Sequence, residues 1–389
     1  MKKFLCFAAA LVIIAVASSH KTEILEAVDE IFGSDTVIDW NEASAERSNL
    51  GSAYKNHFSF LTEDQKKAYN HILSEIMNAD TEFPELIQIP LMTGDELTEI
   101  IEALNYDNPT IMCFGRSNTI VTSEGLCYFQ PGYVMTPSEQ RVKNNTIDTI
   151  CNEILSALPE NSTQFETELF IHDYIINHCT YDFEVKETSS TVFSCLADGL
   201  SACEGYSKAT KLLCEKAGLE CYTVSGDAVN FDGKTEGHMW NIIKIDGEYY
   251  HLDVTWDDPI TQNEGQTLSH VYMNLSEDEI SADHFGFVQF FDCNSTKANY
   301  FAKTDRLFGK LGTNEINRLK KVLATSSDGH VEIKFDTKSN YNSAVKKLIT
   351  NGQIYKIAAS ANRIYGTALS TKSVGYIENQ SMLVLDLYF

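Results

Sequence analysis

The sequence predicts an α+β protein organised around an antiparallel hairpin with a helix packed on it. Three observations carry this expectation. Two β-rich runs, 238–245 and 248–253, flank Asp246-Gly247, the dipeptide of a two-residue hairpin turn. Upstream, Tyr206, Ala209, Leu213 and Ala217 recur at helical spacing. Downstream of residue 300, strand, helix and strand patterns follow one another.

The 389 residues allow two or three domains, and 43% apolar with 22% charged residues is ordinary for a chain that buries a core. Against 30 Lys+Arg stand 55 Asp+Glu, a net charge of −25. Such a surface repels phosphate backbones and anionic headgroups, which argues against nucleic acid as a partner and fits simple solubility.

Lys2 and Lys3 precede an apolar stretch over 4–16 and then Ala17, Ser18 and Ser19, the order of a secretory signal. The stretch is shorter than the ~20 residues of a bilayer span. The expectation is cleavage after 1–19, a secreted or cell-surface protein, and no membrane span in the mature chain. Removal of Cys6 leaves nine cysteines with no C-x-x-C pair, which excludes a small disulfide scaffold and a ribbon-type zinc site.

Residues 21–60 are polar and weakly patterned, as in a linker or loosely packed arm. A helix starts at Thr62, where Thr62 and Gln65 have capping-box spacing and Ala68, Tyr69, Ile72, Leu73 and Ile76 form an apolar face. A second helix over 95–104 and β-like runs over 111–114, 118–121 and 126–129 come next. Thr136-Pro137 opens another helix, whose apolar face uses Ile147, Ile150, Cys151, Ile154 and Leu155. A further helix covers 164–179. Beyond 300, residues 330–335 read as a strand, 341–350 as a helix, 353–358 as a strand and 382–389 as a closing strand.

The chemistry concentrates between these regions. Ser201 and Glu204 have capping-box spacing, so Ser201 is the expected N-cap of a helix over 202–217 that Gly218 closes. Cys203 then sits in the first turn, where free amide N–H groups and the helix dipole favour a thiolate. The competing reading, a small buried hydrophobe, suits Cys214 and Cys221 better. A nucleophilic cysteine needs a base and the base an orienting partner. The two-residue turn pairs Ile245 with Glu248, Ile243 with Tyr250 and Trp240 with Asp253. His238, Trp240, Ile242, His251 and Asp253 then share one face, and Met239, Asn241, Ile243, Tyr250, Leu252 and Val254 the other. A slip of one residue would put Asp253 on the face opposite His238. His251 is the rival base, read as a partly exposed sheet histidine. Trp256-Asp257-Asp258-Pro259 reads as a polar turn rather than a metal site.

Three segments together resemble the transglutaminase-like superfamily, and more closely its bacterial secreted branch of uncharacterised peptidase-like proteins: 203–209 (CEGYSKA), 237–241 (GHMWN) and 250–259 (YHLDVTWDDP). The resemblance covers roughly 165–285. It implies a papain-like arrangement in which Cys203 is the nucleophile, His238 the general base and acid, and Asp253 the residue that orients His238. Asp182, in Thr180-Tyr181-Asp182, matches a helix-end feature of the family, whereas Cys195 stands where a small residue is expected. The implied reaction is acyl transfer from a protein or peptide amide through a thioester, ending in hydrolysis or transamidation, with no metal or organic cofactor. The expected organisation is a signal over 1–19, a mainly helical accessory region over 20–160, the catalytic domain over 161–290 and a small α+β domain over 300–389. The alternative is a catalytically silent surface binding or scaffold protein that keeps the fold.

Overall fold

A computed structural model of the chain describes residues 11–14, 37–115, 117–123, 125–230, 233–258, 268–325 and 329–389. The expected signal segment lies outside these residues except for Leu11–Ile14, a short strand running parallel to Ser117–Ile120.

The N-terminal region contains α1 (Glu63–Asn78), β1 (Ile87–Ile89), α2 (Gly94–Asp107), β2 (Ser117–Ser123) and β3 (Leu126–Gln130). Thr62 and Gln65 form the predicted capping box, and Ala68, Tyr69, Ile72, Leu73 and Ile76 are buried. The β-like runs over 118–121 and 126–129 are β2 and β3, which pair antiparallel with each other, and β1 pairs antiparallel with β3. Of the run over 111–114, Phe114 alone makes a bridge, to Tyr133. The chain before α1 is no loose arm near its end. Lys55, Asn56 and Phe58 are buried, and the Asn56 side chain donates to the Thr223 carbonyl across 2.8 Å.

The central region follows with α3 (Pro137–Ser156), α4 (Gln164–His178) and α5 (Cys203–Lys216). Five antiparallel strands come next: β4 (Cys221–Val229), β5 (Thr235–Ile245), β6 (Glu248–Leu252), β7 (Met273–Leu275) and β8 (His284–Phe285), in spatial order β7-β6-β5-β4-β8. Asp246 and Gly247 both have positive φ, 52° and 88°, as a primed two-residue turn requires. The register is the predicted one: Ile245 faces Glu248 and Ile243 faces Tyr250. Ile243, Tyr250, Leu252 and Val254 join the central core with Tyr206, Ala209 and Leu213 of α5. One sheet face is therefore covered by the helices, and the other carries the polar aromatic set.

The C-terminal region has its own apolar core, built from α6 (Thr313–Ala324), β9 (His330–Phe335), α7 (Lys338–Val345), α8 (Gln353–Tyr365), β10 (Gly375–Asn379) and β11 (Val384–Tyr388). The strand expected over 353–358 is the start of α8. Ile354, Ile357, Ala358 and Ala361 are buried at helical spacing, a pattern that a six-residue window cut short. No helix among the described residues is long and apolar enough to cross a membrane.

Candidate active site

Cys203 opens α5 with its side chain partly exposed, whereas the other eight described cysteines are buried and none is in a disulfide. The helix starts for a reason other than the one predicted. Its N-cap is Ala202, without a side-chain cap. Ser201 is wholly buried in a short strand, Leu200–Ser201, where its hydroxyl donates to the Ser189 carbonyl (2.8 Å) and meets the Ser194 hydroxyl (2.8 Å). Glu204 turns instead to Lys208 across 2.7 Å. The cap is replaced by a tight seat in which a Cβ on Gly205 would come 1.9 Å from Ser201 Oγ and 2.8 Å from the Thr191 carbonyl oxygen. Gly205 thus lets the helix start lie against this loop. Asp182 holds the same seat: its N–H donates to the Ser201 carbonyl (2.8 Å), and its carboxylate accepts from Ser189 and from the Glu184 N–H.

Two bonds lock α5 to β5. Ser207 Oγ donates to the Trp240 carbonyl (2.9 Å), and Asn241 Nδ2 donates to the Ser207 carbonyl (3.0 Å). A third ties α5 to the turn after β6, where Tyr206 Oη donates to Asp258 Oδ2 (2.6 Å). The helix start, the strand bearing His238 and the turn bearing Asp253 are therefore fixed to one another.

At their junction His238 Nε2 lies 2.7 Å from Asp253 Oδ2. The ladder stops at Asn241–Leu252, so the Trp240–Asp253 pair predicted to close it does not form. Asp253 bends away, its N–H donating to the Tyr272 carbonyl. Its Oδ1 accepts from the N–H groups of Thr255 (3.0 Å) and Trp256 (3.1 Å), which aims Oδ2 at His238. With Nε2 taken by Asp253, Nδ1 is the nitrogen left for another partner, and Cys203 is close enough to influence the ring. Burial works to depress the His238 pKa, but the Asp253 charge, its hydrogen bond and the Cys203 side chain together raise it to about 10. Burial raises the Asp253 pKa in turn, and the two histidines beside it overcome this and hold it well below the usual carboxylate range.

Two residues that the sequence did not single out belong to this group. His284 on β8 is wholly buried and reaches Asp253 Oδ2 through Nε2 (3.1 Å), while its Nδ1 faces Asp283 (2.7 Å). Tyr181 lies close to Cys203, and burial followed by the negative charge of the thiolate form raises its pKa. Neither carries a local signal: one is a lone histidine before a phenylalanine, the other a tyrosine after a helix end. His251, expected to be partly exposed, is wholly buried. Its Nδ1 accepts from Trp240 Nε1 (3.0 Å), which leaves Nε2–H to donate to Glu277 (3.0 Å). Both nitrogens are committed away from the thiol, so His251 is not the base. Asp257 and Asp258 lie in the predicted turn after β6, where both are buried and act as anchors.

Comparison with known proteins bears on the same residues. A family model described as the transglutaminase-like superfamily matches residues 151–254. Kyphoscoliosis peptidase of Mus musculus is 26% identical over 139 residues, 33% of this chain and 21% of that protein. The Homo sapiens kyphoscoliosis peptidase is 25% identical over 130 residues, 31% of this chain and 19% of its own. The chain thus spans about a fifth of the length of these curated relatives. A solved structure of a TGase aligns over 52% of this chain and 59% of its own at 15% identity, with a TM-score of 0.27. The family match takes in Cys203, His238 and Asp253 together, and residues 151–254 form a transglutaminase-like domain.

Proposed function

We propose that the chain is an exported cysteine acyl hydrolase acting on protein or peptide amides, with Cys203 as nucleophile, His238 as acid and base, and Asp253 as the group that orients His238. The observation that carries this reading is the 2.7 Å bond from His238 Nε2 to Asp253, close to Cys203 at the partly exposed start of α5. Cys203 Sγ attacks the amide carbonyl carbon, the C–S bond forms, and the carbonyl electron pair moves to oxygen beside the Cys203 N–H at the α5 start. When the pair returns, the C–N bond breaks and the amine leaves with the proton held at His238 Nδ1. His238, now neutral, takes a proton from water, whose oxygen attacks the thioester. The acid product leaves and the Cys203–His238 pair is restored.

Hydrolysis is preferred over transfer to an amine because the curated relatives bear the name peptidase. Export rests on the lysine pair, apolar run and small residues at the N-terminus.

The test is acyl turnover on a casein panel, in which released amino groups and incorporation of a fluorescent amine are measured side by side. Hydrolysis predicts new amino groups that vanish in Cys203→Ala. Amine incorporation without them assigns transamidation. Neither signal, together with no thiol-probe labelling of Cys203, supports the silent binding protein.

A further inference from the structure

A second cluster of histidine and carboxylate lies apart from the thiol. His172 and Asp173 are neighbours on α4, and His270 stands in the segment before β7. Asp173 Oδ1 lies 2.9 Å from His172 Nδ1 and 3.0 Å from His270 Nε2. The far side of each ring also meets a buried carboxylate. His172 Nε2 is 3.1 Å from Asp257 Oδ2, and His270 Nδ1 is 3.4 Å from Glu332 Oε2 on β9. The two rings stack, centroids 5.1 Å apart and 25° from parallel, and Tyr300 stacks on the outer face of His270 at 3.9 Å.

Donor counting makes this arrangement unusual. A neutral imidazole has one N–H and one lone pair, and a carboxylate only accepts. Four carboxylate contacts on two neutral rings leave two contacts without a proton, so they call for two added protons, on the rings or on the carboxyl groups, or for a cation in place of the two inner protons. A divalent ion replaces those two protons with no change in net charge. The inner lone pairs then point at the ion, and the outer N–H groups donate to Asp257 and Glu332. That is the histidine–carboxylate support commonly found around protein-bound metals.

We propose that His172 Nδ1, His270 Nε2 and Asp173 Oδ1 bind a divalent first-row transition metal, zinc by preference. These ligand atoms lie within 4.8 Å of one another. Zinc bonds of about 2.0–2.2 Å separate tetrahedral ligands by about 3.3 Å, so the two contacts to Asp173, 2.9 and 3.0 Å, open by only a few tenths of an ångström. Two imidazoles and one carboxylate are a zinc-type donor set. The Asp173 side chain is 32% exposed, which gives the ion an entry path and a place for a water ligand. The role is a clamp. Asp257 accepts from the Tyr272 N–H and belongs to the turn that carries Asp253, while Glu332 belongs to the C-terminal sheet and also accepts from Ser269 and the His270 N–H. The ion fastens α4, that turn and β9 at one point. The proposal is independent of the acyl-transfer reading.

The test is a titration of the chelator-stripped full chain with Co2+, read by visible d–d absorption, followed by displacement with Zn2+. The expected result is saturation at one equivalent, loss of the signal in Asp173→Asn, and affinity lower by about 10–100-fold in Glu332→Gln. Zn2+ should raise the melting temperature of the stripped wild type and leave that of a folded Asp173→Asn, checked by circular dichroism, unchanged, separating lost binding from lost fold. The proposal is overturned by the absence of a saturable signal, by thiolate-to-cobalt charge transfer marking a cysteine ligand, or by a signal that survives Asp173→Asn and disappears in His284→Gln.

Discussion

Two carboxylates in this molecule are each shared between two histidines, Asp253 by His238 and His284, and Asp173 by His172 and His270. The side chains are alike and the surroundings are not. Asp253 is wholly buried, fixed by two backbone N–H groups, and one of its histidines faces a thiol. Asp173 is partly open to solvent on a helix, and its histidines are backed by further carboxylates rather than by a nucleophile. The comparison teaches that a carboxylate shared by two histidines does not fix the chemistry by itself: a thiol near one ring and burial of the acid set Asp253 apart from the partly open, carboxylate-backed Asp173.

The largest expected effect contrasts the two acids directly. Asp253→Ala leaves two buried histidines without their shared partner and should cost about 3–5 kcal/mol, as broken buried ion pairs do. Asp173→Ala in the chelator-stripped chain should cost less, about 1–3 kcal/mol, since the acid is partly solvated and both rings keep a second carboxylate. Urea unfolding of both variants checks this, and equal losses would break the comparison.

Next in size is the separation of His238 from His284. Asp253→Asn keeps the shape but removes the charge that holds the imidazole for catalysis, and should lower acyl turnover by about 10²–10⁴-fold. His284→Gln leaves the 2.7 Å His238–Asp253 bond in place and should lower it by about tenfold or less. Steady-state kinetics on one peptide substrate ranks the two, and the opposite ranking would make His284 the working histidine.

The pH dependence is a smaller and more particular effect. The folded His238 pKa is raised to about 10 from 6.5, so its contribution to stability is complete below pH 6.5 and is lost as pH rises toward 10. The folded Asp253 pKa is depressed from 3.8, so its contribution is complete above that value and is lost as pH falls below it. Both are present together between about pH 4 and 6.5. Denaturation measured across pH should show this plateau in the wild type, with flatter limbs in Asp253→Asn. Unchanged limbs would mean that the pair is not coupled to folding.

What the sequence made legible follows from the range of the interactions. The hairpin was readable because Asp246-Gly247 and strict alternation are local, and alternation alone puts His238 on the face of the sheet where Asp253 is found. The capping box at Thr62 was readable for the same reason. The start of α5 was misread because Ser201 has a competing long-range use, its hydroxyl bound to Ser189 and Ser194 in the seat beneath Gly205. The burial of His251 is not local: its two partners, Trp240 and Glu277, lie 11 and 26 residues away. His284 and the His172–His270 pair were invisible because their partners lie 31 and 97 residues away or are shared through a third side chain. The helix over Gln353–Tyr365 was lost to a short window, although its spacing was present in the sequence.

The central claim is that the thiol at the start of α5 is the reacting group. Iodoacetamide labelling rates at pH 6, resolved cysteine by cysteine by peptide mass spectrometry on the folded chain, test it most directly. The account predicts that Cys203 labels fastest, that its rate falls sharply in His238→Ala, and that Cys203→Ala keeps the stability of the wild type within about 1–2 kcal/mol. Faster labelling of Cys214 or Cys221, or a Cys203 rate indifferent to His238, would contradict it.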